Sequence, residues 1–354
     1  MKKALIAMSG GVDSSVAAYL MQKRGYACVG CTMKLYDNED AGVSRERTCC
    51  SLDDVEDARS VAYRLGMAHH VFNFSDDFRE KIIGKFVESY ACGKTPNPCI
   101  DCNRYMKFGK LFERADILGC DTVVTGHYAR IENANGEFFL KKAADETKDQ
   151  SYVLYFLDQA QLSRLCFPLG ELSKSEVRHI AEENGFLNAK KPDSQDICFV
   201  PDGDYARVVE LNSDRTFAEG DFVDANGNVI GRHRGIIRYT IGQRRGLGIS
   251  AAERIYVTSV DAKSNTVTLG SDADLYLREV EVGDVSFVSG KAPDAPFRCA
   301  AKIRYRQKEQ PATVTPTDVG FHITFDESQR AVTAGQSAVL YDGDVVLGGG
   351  TIIK

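Results

Sequence analysis

Two groups of residues could do chemistry, and the first is Ser9 to Ser15, SGGVDSS: two glycines, three hydroxyls and one carboxylate. Glycine lets the backbone turn tightly and come close to a ligand. The apolar run Ala4 to Met8 ahead of it reads as a short buried strand. Behind it, Val16, Ala17, Leu20 and Met21 fall at helical spacing before a stop at Gly25. A strand-to-helix turn of this kind offers unpaired N–H groups and a partial positive charge, which together favour an anion. Ser9, Ser14 and Ser15 add hydroxyl donors. Asp13 is placed to hold a metal that neutralises phosphate charge. The pattern G-x-x-x-x-G-K-[ST] is missing, so the loop has no lysine for a γ-phosphate. No third glycine follows Gly10 and Gly11, so the dinucleotide fingerprint is missing too.

The second group is sulfur. The chain has 11 cysteines, an odd number, and ten of them lie in its first 200 residues. That points to reduced, metal-binding or catalytic thiols rather than a disulfide scaffold. Cys99 and Cys102 form C-x-x-C within TPNPCIDCN, which reads as half a zinc site, a redox pair or an incidental spacing. Cys49 and Cys50 could add ligands, but adjacent cysteines rarely both reach one zinc. Cys198 stands alone in DSQDICFVP, where the plain alternative is a buried inert thiol.

The elements that must position these groups follow a regular order. Strands read at Cys28 to Met33, Ala68 to Phe74 and Asp121 to Thr125. Helices read over Leu52 to Leu65 (capped by Ser51), Asp76 to Tyr90 and Lys107 to Leu118, with a loop over 93–104. Residues 150–187 read as helical, with a Ser173–Glu176 capping box, and 190–201 as an extended loop carrying Cys198. This alternation predicts an α/β fold with a doubly wound parallel sheet and ligands at the carboxyl ends of its strands. Beyond about 201, turn pairs such as Asn226-Gly227 and Asp342-Gly343 separate short β-branched runs. Two small all-β domains are expected, the last a β-barrel, with divisions at 1–200, 201–278 and 279–354. Only five apolar residues precede Ser9, too few for a secretory leader, and no run approaches membrane-spanning length. A cytoplasmic protein with no membrane partner is expected.

Taken together, the motifs carry a resemblance to a known family. In order they are SGGVDSS, GKTPNPCIDCN, TGHYAR, KDQSYVL, FPLGELSKSEVR, KPDSQDICFVP, YTIGQRRGLGI, RYRQ and AGQSAVLYDG. The chain resembles the tRNA-specific 2-thiouridylases of the MnmA type, within the ATP pyrophosphatase superfamily and its adenine nucleotide alpha hydrolase-like fold. The resemblance implies an ATP-dependent sulfurtransferase that adenylates C2 of the wobble uridine of Lys, Glu and Gln tRNAs and replaces its oxygen with sulfur. Its cofactors would be ATP and magnesium, and its sulfur would come from a cysteine desulfurase or a relay protein. Cys198 would carry the persulfide and Cys102 would be the partner thiol, the pair ending as a disulfide that must be reduced. ATP would be bound by Ala7, Met8, Ser9, Gly10, Gly11, Val12, Asp13, Ser14, Met33 and Gly126. tRNA would be bound by Asn97, Pro98, Cys99, His127, Lys148, Asp149, Gln150, Arg304, Tyr305 and Gln336. One departure stands out: the family's TPNPD has become TPNPC, with Cys99 in place of the aspartate. Cys99, Cys102 and Cys198 could instead ligate an iron–sulfur cluster. An RNA-binding or iron–sulfur carrier protein without catalysis is the alternative from another class.

Charge supports an RNA partner independently. The formal net charge is −6, so RNA must be met by local basic patches. Val229 to Ala252 has no acidic residue but includes Arg232, Arg234, Arg238, Arg244 and Arg245. Arg298, Lys302, Arg304, Arg306 and Lys308 share one parity, which on a strand puts five cations on one face. Lys94, Arg104 and Lys107 flank Cys102 and are expected to favour its thiolate.

Overall fold

The computed structural model describes residues 1–36, 52–193, 197–250 and 253–353. Ser51 and the Cys49–Cys50 pair lie outside the described residues. The first strand, β1 (Lys3–Ala7), is the hydrophobic centre of the parallel sheet, and Ala4, Leu5 and Ile6 are fully buried. β1 pairs in parallel with β2 (Ala27–Lys34), and β2 with β3 (His69–Asn73). On the other side of β1 come β4 (Thr122–Val124) and a two-residue outer strand, Leu165–Cys166. A strand buried on both faces reads as a continuous apolar run, as β1 does.

Several expected elements change character. The helix expected to begin at Lys107 begins nine residues earlier. Asn97 caps Pro98–Asp101, which runs on through the π-wound Cys102–Lys110 into Leu111–Ile117. Thus part of the expected 93–104 loop is helix, and both cysteines of the C-x-x-C lie on it. The 150–187 stretch is not one helix. It is a 3₁₀ turn (Ser151–Leu154), a short helix (Gln159–Ser163), the outer strand and the helix Lys174–Glu183. The capping box at Ser173 and Glu176 is present.

Between β4 and that outer strand runs a hairpin, β5 (Arg130–Ala134) and β6 (Glu137–Lys141). Its turn residues Asn135 and Gly136 both have positive φ, 56° and 91°, which twists the two strands compatibly. The outer strand Leu165–Cys166 is β7.

A helix, Tyr205–Leu211, precedes the β half of the chain. A four-stranded sheet follows: β8 (Gly220–Val223), β9 (Val229–His233), β10 (Tyr256–Asp261) and β11 (Thr266–Gly270). The remaining strands are β12 (Tyr276–Phe287), β13 (Phe297–Lys302), β14 (Gln310–Thr317), β15 (Gly320–Arg330), β16 (Ser337–Asp342) and β17 (Val345–Ile352). They run in the order β12-β15-β14-β13-β16-β17, and a β12–β17 pairing closes the barrel. Residue 278 falls inside β12. The hairpin β5–β6 from the first half adds to the barrel through Val345 and Lys141. No helix among the described residues is long and apolar enough to cross a membrane.

Candidate functional site

The SGGVDSS loop is shaped by contacts that leave little choice of residue. Gly10 has φ of 75°, and a Cβ there would meet Asp54 O at 2.4 Å. A Cβ on Gly126 would meet the Asp13 and Ser14 backbone at 2.9 Å. Ala7 ends β1, Met8 is buried, and half-buried Met33 on β2 packs against the main core. Gly11 caps the helix Val12–Lys23 without any side-chain hydrogen bond to the helix end. Ser14 Oγ accepts from Ser9 N at 3.2 Å and donates to Gly11 O at 3.0 Å. Asn188 Nδ2 donates to Gly10 O and to Ser15 Oγ, both at 2.9 Å, while its buried Oδ1 has no partner among the described residues. The loop is therefore held from outside, and its helix start carries no side-chain cap, the arrangement that suits an anion.

Asp13 is already paired. Its carboxylate accepts from Lys174 Nζ at 2.7 and 2.8 Å, and Oδ1 also accepts from the Tyr128 hydroxyl at 2.8 Å. Burial and the Asp13 carboxylate push the Tyr128 hydroxyl well above the ordinary phenol range. Among the described residues no three His, Cys, Asp or Glu side chains are gathered as a metal site. Cys99, Cys102 and Cys198 are thus not gathered as a three-thiol cluster site among the described residues.

Lys174 is the residue that the sequence reading missed. No lysine lies in the loop, but the first residue of the helix Lys174–Glu183 brings one to it. Lys174 also pairs with Asp193 at 2.8 Å, and Arg178, one turn on, pairs with Asp193 at 3.1 Å. Arg178 donates to Ala189 O and Lys191 O as well. One helix face thus steadies both the phosphate loop and the segment leading to Cys198.

On the far side of that segment, the Tyr36 hydroxyl donates to Cys198 O at 2.6 Å. The next residue, Phe199, is buried and packs edge-on against Phe78 and Phe86. Cys198 itself is half-buried.

Asn97 Oδ1 accepts from Cys99 N at 3.2 Å, and Pro98 occupies the first helical position. Cys99 is exposed and Cys102 half-buried. Burial pushes the Cys102 thiol above its ordinary value, and Lys107 pulls the other way without reversing it. Arg104 does not serve the thiol. It pairs with Asp284 of the barrel at 3.1 Å and lies over the Phe156 ring. The expected thiolate-favouring field is therefore outweighed by burial.

The residues expected to meet tRNA divide sharply. Tyr305 is exposed, packs edge-on against Tyr152 and donates to Asp149 O. His127 is buried between Phe108 and Phe167 with Nδ1 at 2.6 Å from Thr125 Oγ1, and burial lowers its pKa well below the ordinary value. Lys148 pairs with Asp193 at 2.9 Å. Asp149 accepts from Ala143 N and Ser151 Oγ, and Gln150 Oε1 accepts from Tyr128 N. Gln336 Nε2 donates to Thr95 O at 2.8 Å and to Pro96 O, so the barrel holds the segment just before Asn97.

The five-cation stripe does not form. β13 ends at Lys302, after which Arg304 turns inward and donates to Ile241 O, Ala331 O and Thr333 Oγ1. Arg298 is bidentate to Asp326 at 2.6 and 2.7 Å. Arg232 pairs with Asp221, and Arg238 with Glu210. Among the described residues, Arg234, Arg244, Arg245, Arg306 and Lys308 are exposed and make no ion pair.

A glycine loop at the end of a parallel strand, braced by a distant lysine and followed by two thiol-bearing segments, defines a nucleotide-dependent group-transfer fold. The chain matches the family described as "tRNA methyl transferase HUP domain" over residues 2–202. It matches the corresponding PRC-barrel domain over 210–271 and an "Aminomethyltransferase beta-barrel domain" over 277–352. It is 49% identical to the tRNA-specific 2-thiouridylase MnmA of Clostridioides difficile, covering 100% of this chain and 98% of that one. The enzymes of the same name from Clostridium acetobutylicum and Acetivibrio thermocellus are each 46% identical, with 99% of both chains covered. The chain belongs to the tRNA-specific 2-thiouridylase family.

Proposed function

We propose that this protein thiolates the wobble uridine of tRNA, using ATP to activate C2 and a persulfide on Cys198 as the sulfur source. The observation that carries the reading is the SGGVDSS loop itself, with its unfilled helix start and Lys174 poised over Asp13. A uridine carbonyl oxygen is a poor leaving group. Attack of that oxygen on the ATP α-phosphorus expels pyrophosphate and converts it into AMP, a good one. The glycine loop would cradle the phosphates, and Lys174 would turn from Asp13 to the leaving pyrophosphate. Ala7 to Ser14, Met33 and Gly126 surround that position. The terminal sulfur of the Cys198 persulfide then bonds to C2 as AMP departs. Cys102 attacks Cys198 Sγ, the sulfur–sulfur bond breaks, and the sulfur stays on the nucleoside. Cys102 and Cys198 are left as a disulfide. Methyl transfer, the activity in the family's descriptive name, has no use for a pair of thiols or an adenylating loop.

Lysine, glutamate and glutamine tRNAs are the proposed acceptors, with a cysteine desulfurase or relay protein as donor. Asn97, Pro98, Cys99, Tyr305 and Gln336 cluster about the cysteine helix and would meet the anticodon. His127, Lys148, Asp149, Gln150 and Arg304 would act by holding that surface in shape. Cys198→Ala is expected to abolish 2-thiouridine while ATP and tRNA binding persist, read by nucleoside mass spectrometry in a reconstitution with a persulfide donor. Normal product from the alanine variant removes Cys198 from the role.

A further inference from the structure

The structure puts Cys99 on the first helical turn with Cys102. Asn97 is the cap, Pro98 the first helical residue and Cys99 the second. Cys102 has helical φ and ψ of −59° and −45° and continues the same helix. Residues three apart share a helix face. Helix geometry sets their Cα atoms about 5 Å apart, inside the range of roughly 4.4–6.8 Å that a disulfide spans. Both are reduced thiols, but only Cys99 is exposed. We propose that Cys99 and Cys102 work as a dithiol pair, with Cys99 the thiol through which an external dithiol reductant reaches Cys102.

The role rests on the sulfur-transfer reading above, which leaves a Cys102–Cys198 disulfide after each turnover. Cys102 and Cys198 are both half-buried residues while Cys99 is exposed, so a reductant of protein size meets Cys99 first. Cys99 thiolate attacks Cys102 Sγ, and the Cys102–Cys198 bond breaks. The electron pair leaves on Cys198, which takes a proton and is ready to be loaded again. The new Cys99–Cys102 disulfide has one sulfur at the surface. A dithiol attacks Cys99 Sγ, Cys102 leaves as a thiolate and is protonated, and the dithiol closes into its own disulfide. Two electrons pass from reductant to enzyme. The helix start favours negative charge on Cys99, the attacking sulfur. Burial disfavours charge on Cys102, which is neutral as a disulfide.

The first test needs neither tRNA nor ATP. The full chain is equilibrated in an oxidising glutathione buffer, the remaining thiols are alkylated, and the tryptic peptide 95–104 is weighed. It holds Cys99 and Cys102 and no other cysteine. The expected result is an internal disulfide, two hydrogens lighter than the dithiol. Oxidation of Cys102 to Cys198 or to glutathione alone, with Cys99 left as a thiol, overturns the proposal. So does iron bound to the reduced protein and lost on Cys99→Ser.

The second test is the ratio of steady-state rate to first-turnover burst in Cys99→Ser. With a thioredoxin as reductant, the ratio is expected to fall at least tenfold below that of the unaltered chain, and dithiothreitol is expected to restore it. An unchanged ratio overturns the proposal. A protein that forms the 99–102 disulfide but makes no 2-thiouridine defeats the function reading instead, so the two failures are distinguishable.

Discussion

Lys174 carries more of the phosphate site than its place in the sequence suggests. It lies 161 residues from Asp13 yet reaches both of its carboxylate oxygens. Lys174→Ala is expected to slow tRNA-dependent pyrophosphate release by about 10²–10³, the usual scale for removing one charge-stabilising donor. Lys174→Arg should recover part of the loss, and a change of less than tenfold in the alanine variant would deny the residue its role. The glycines, Ser14 and the cysteines are legible one by one because their types are chemically unusual. Lys174 is not: within LSKSEVR it reads as the solvated first turn of a helix. Likewise, Arg298 shows no partner in sequence, and it takes both the β13–β14 and the β14–β15 pairings to bring Asp326 across to it.

At the scale of elements, the helix beginning at Pro98 is the largest misreading. Two prolines and two cysteines look like a loop, yet Asn97-Pro98 is a cap followed by a residue suited to the first helical position. Asn97→Ala is expected to cost about 1 kcal/mol of stability in chemical denaturation, and to speed alkylation of Cys102 as the first turn frays. Asn97→Asp should keep most of both. Unaltered alkylation in the alanine variant would mean the turn is held by the barrel through Gln336 alone. The stretch 150–187 misleads for another reason. Leu165–Cys166 is captured as a strand beside β4, so sheet pairing overrides local preference. The strands of the β half were more legible, since Asn226-Gly227 and Asp342-Gly343 mark turns and β-branched runs mark the strands they join.

For the molecule as a whole, an acidic chain meets RNA through the cations it has not already neutralised. The sequence counts Arg232, Arg238 and Arg298 with the rest, but each is spent on an acid. Arg244 and Arg245 are not, among the described residues. Reversing both charges is expected to lower the slope of log affinity for tRNA against log salt by about 0.7–0.9 per lost contact. Arg298→Glu should leave the slope as it is, and filter binding across a salt series reads both. Equal effects would restore the single-faced stripe.

The hairpin β5–β6 has a consequence for how the protein is made. Its partner strand β17 begins at Val345, the better part of the chain after Lys141. At synthesis rates of about 5–20 residues per second, the hairpin waits roughly 10–40 s before β17 exists. During that interval its outer edge is open to any other strand, and the nascent α/β half carries an edge that stays uncovered until β17 is made.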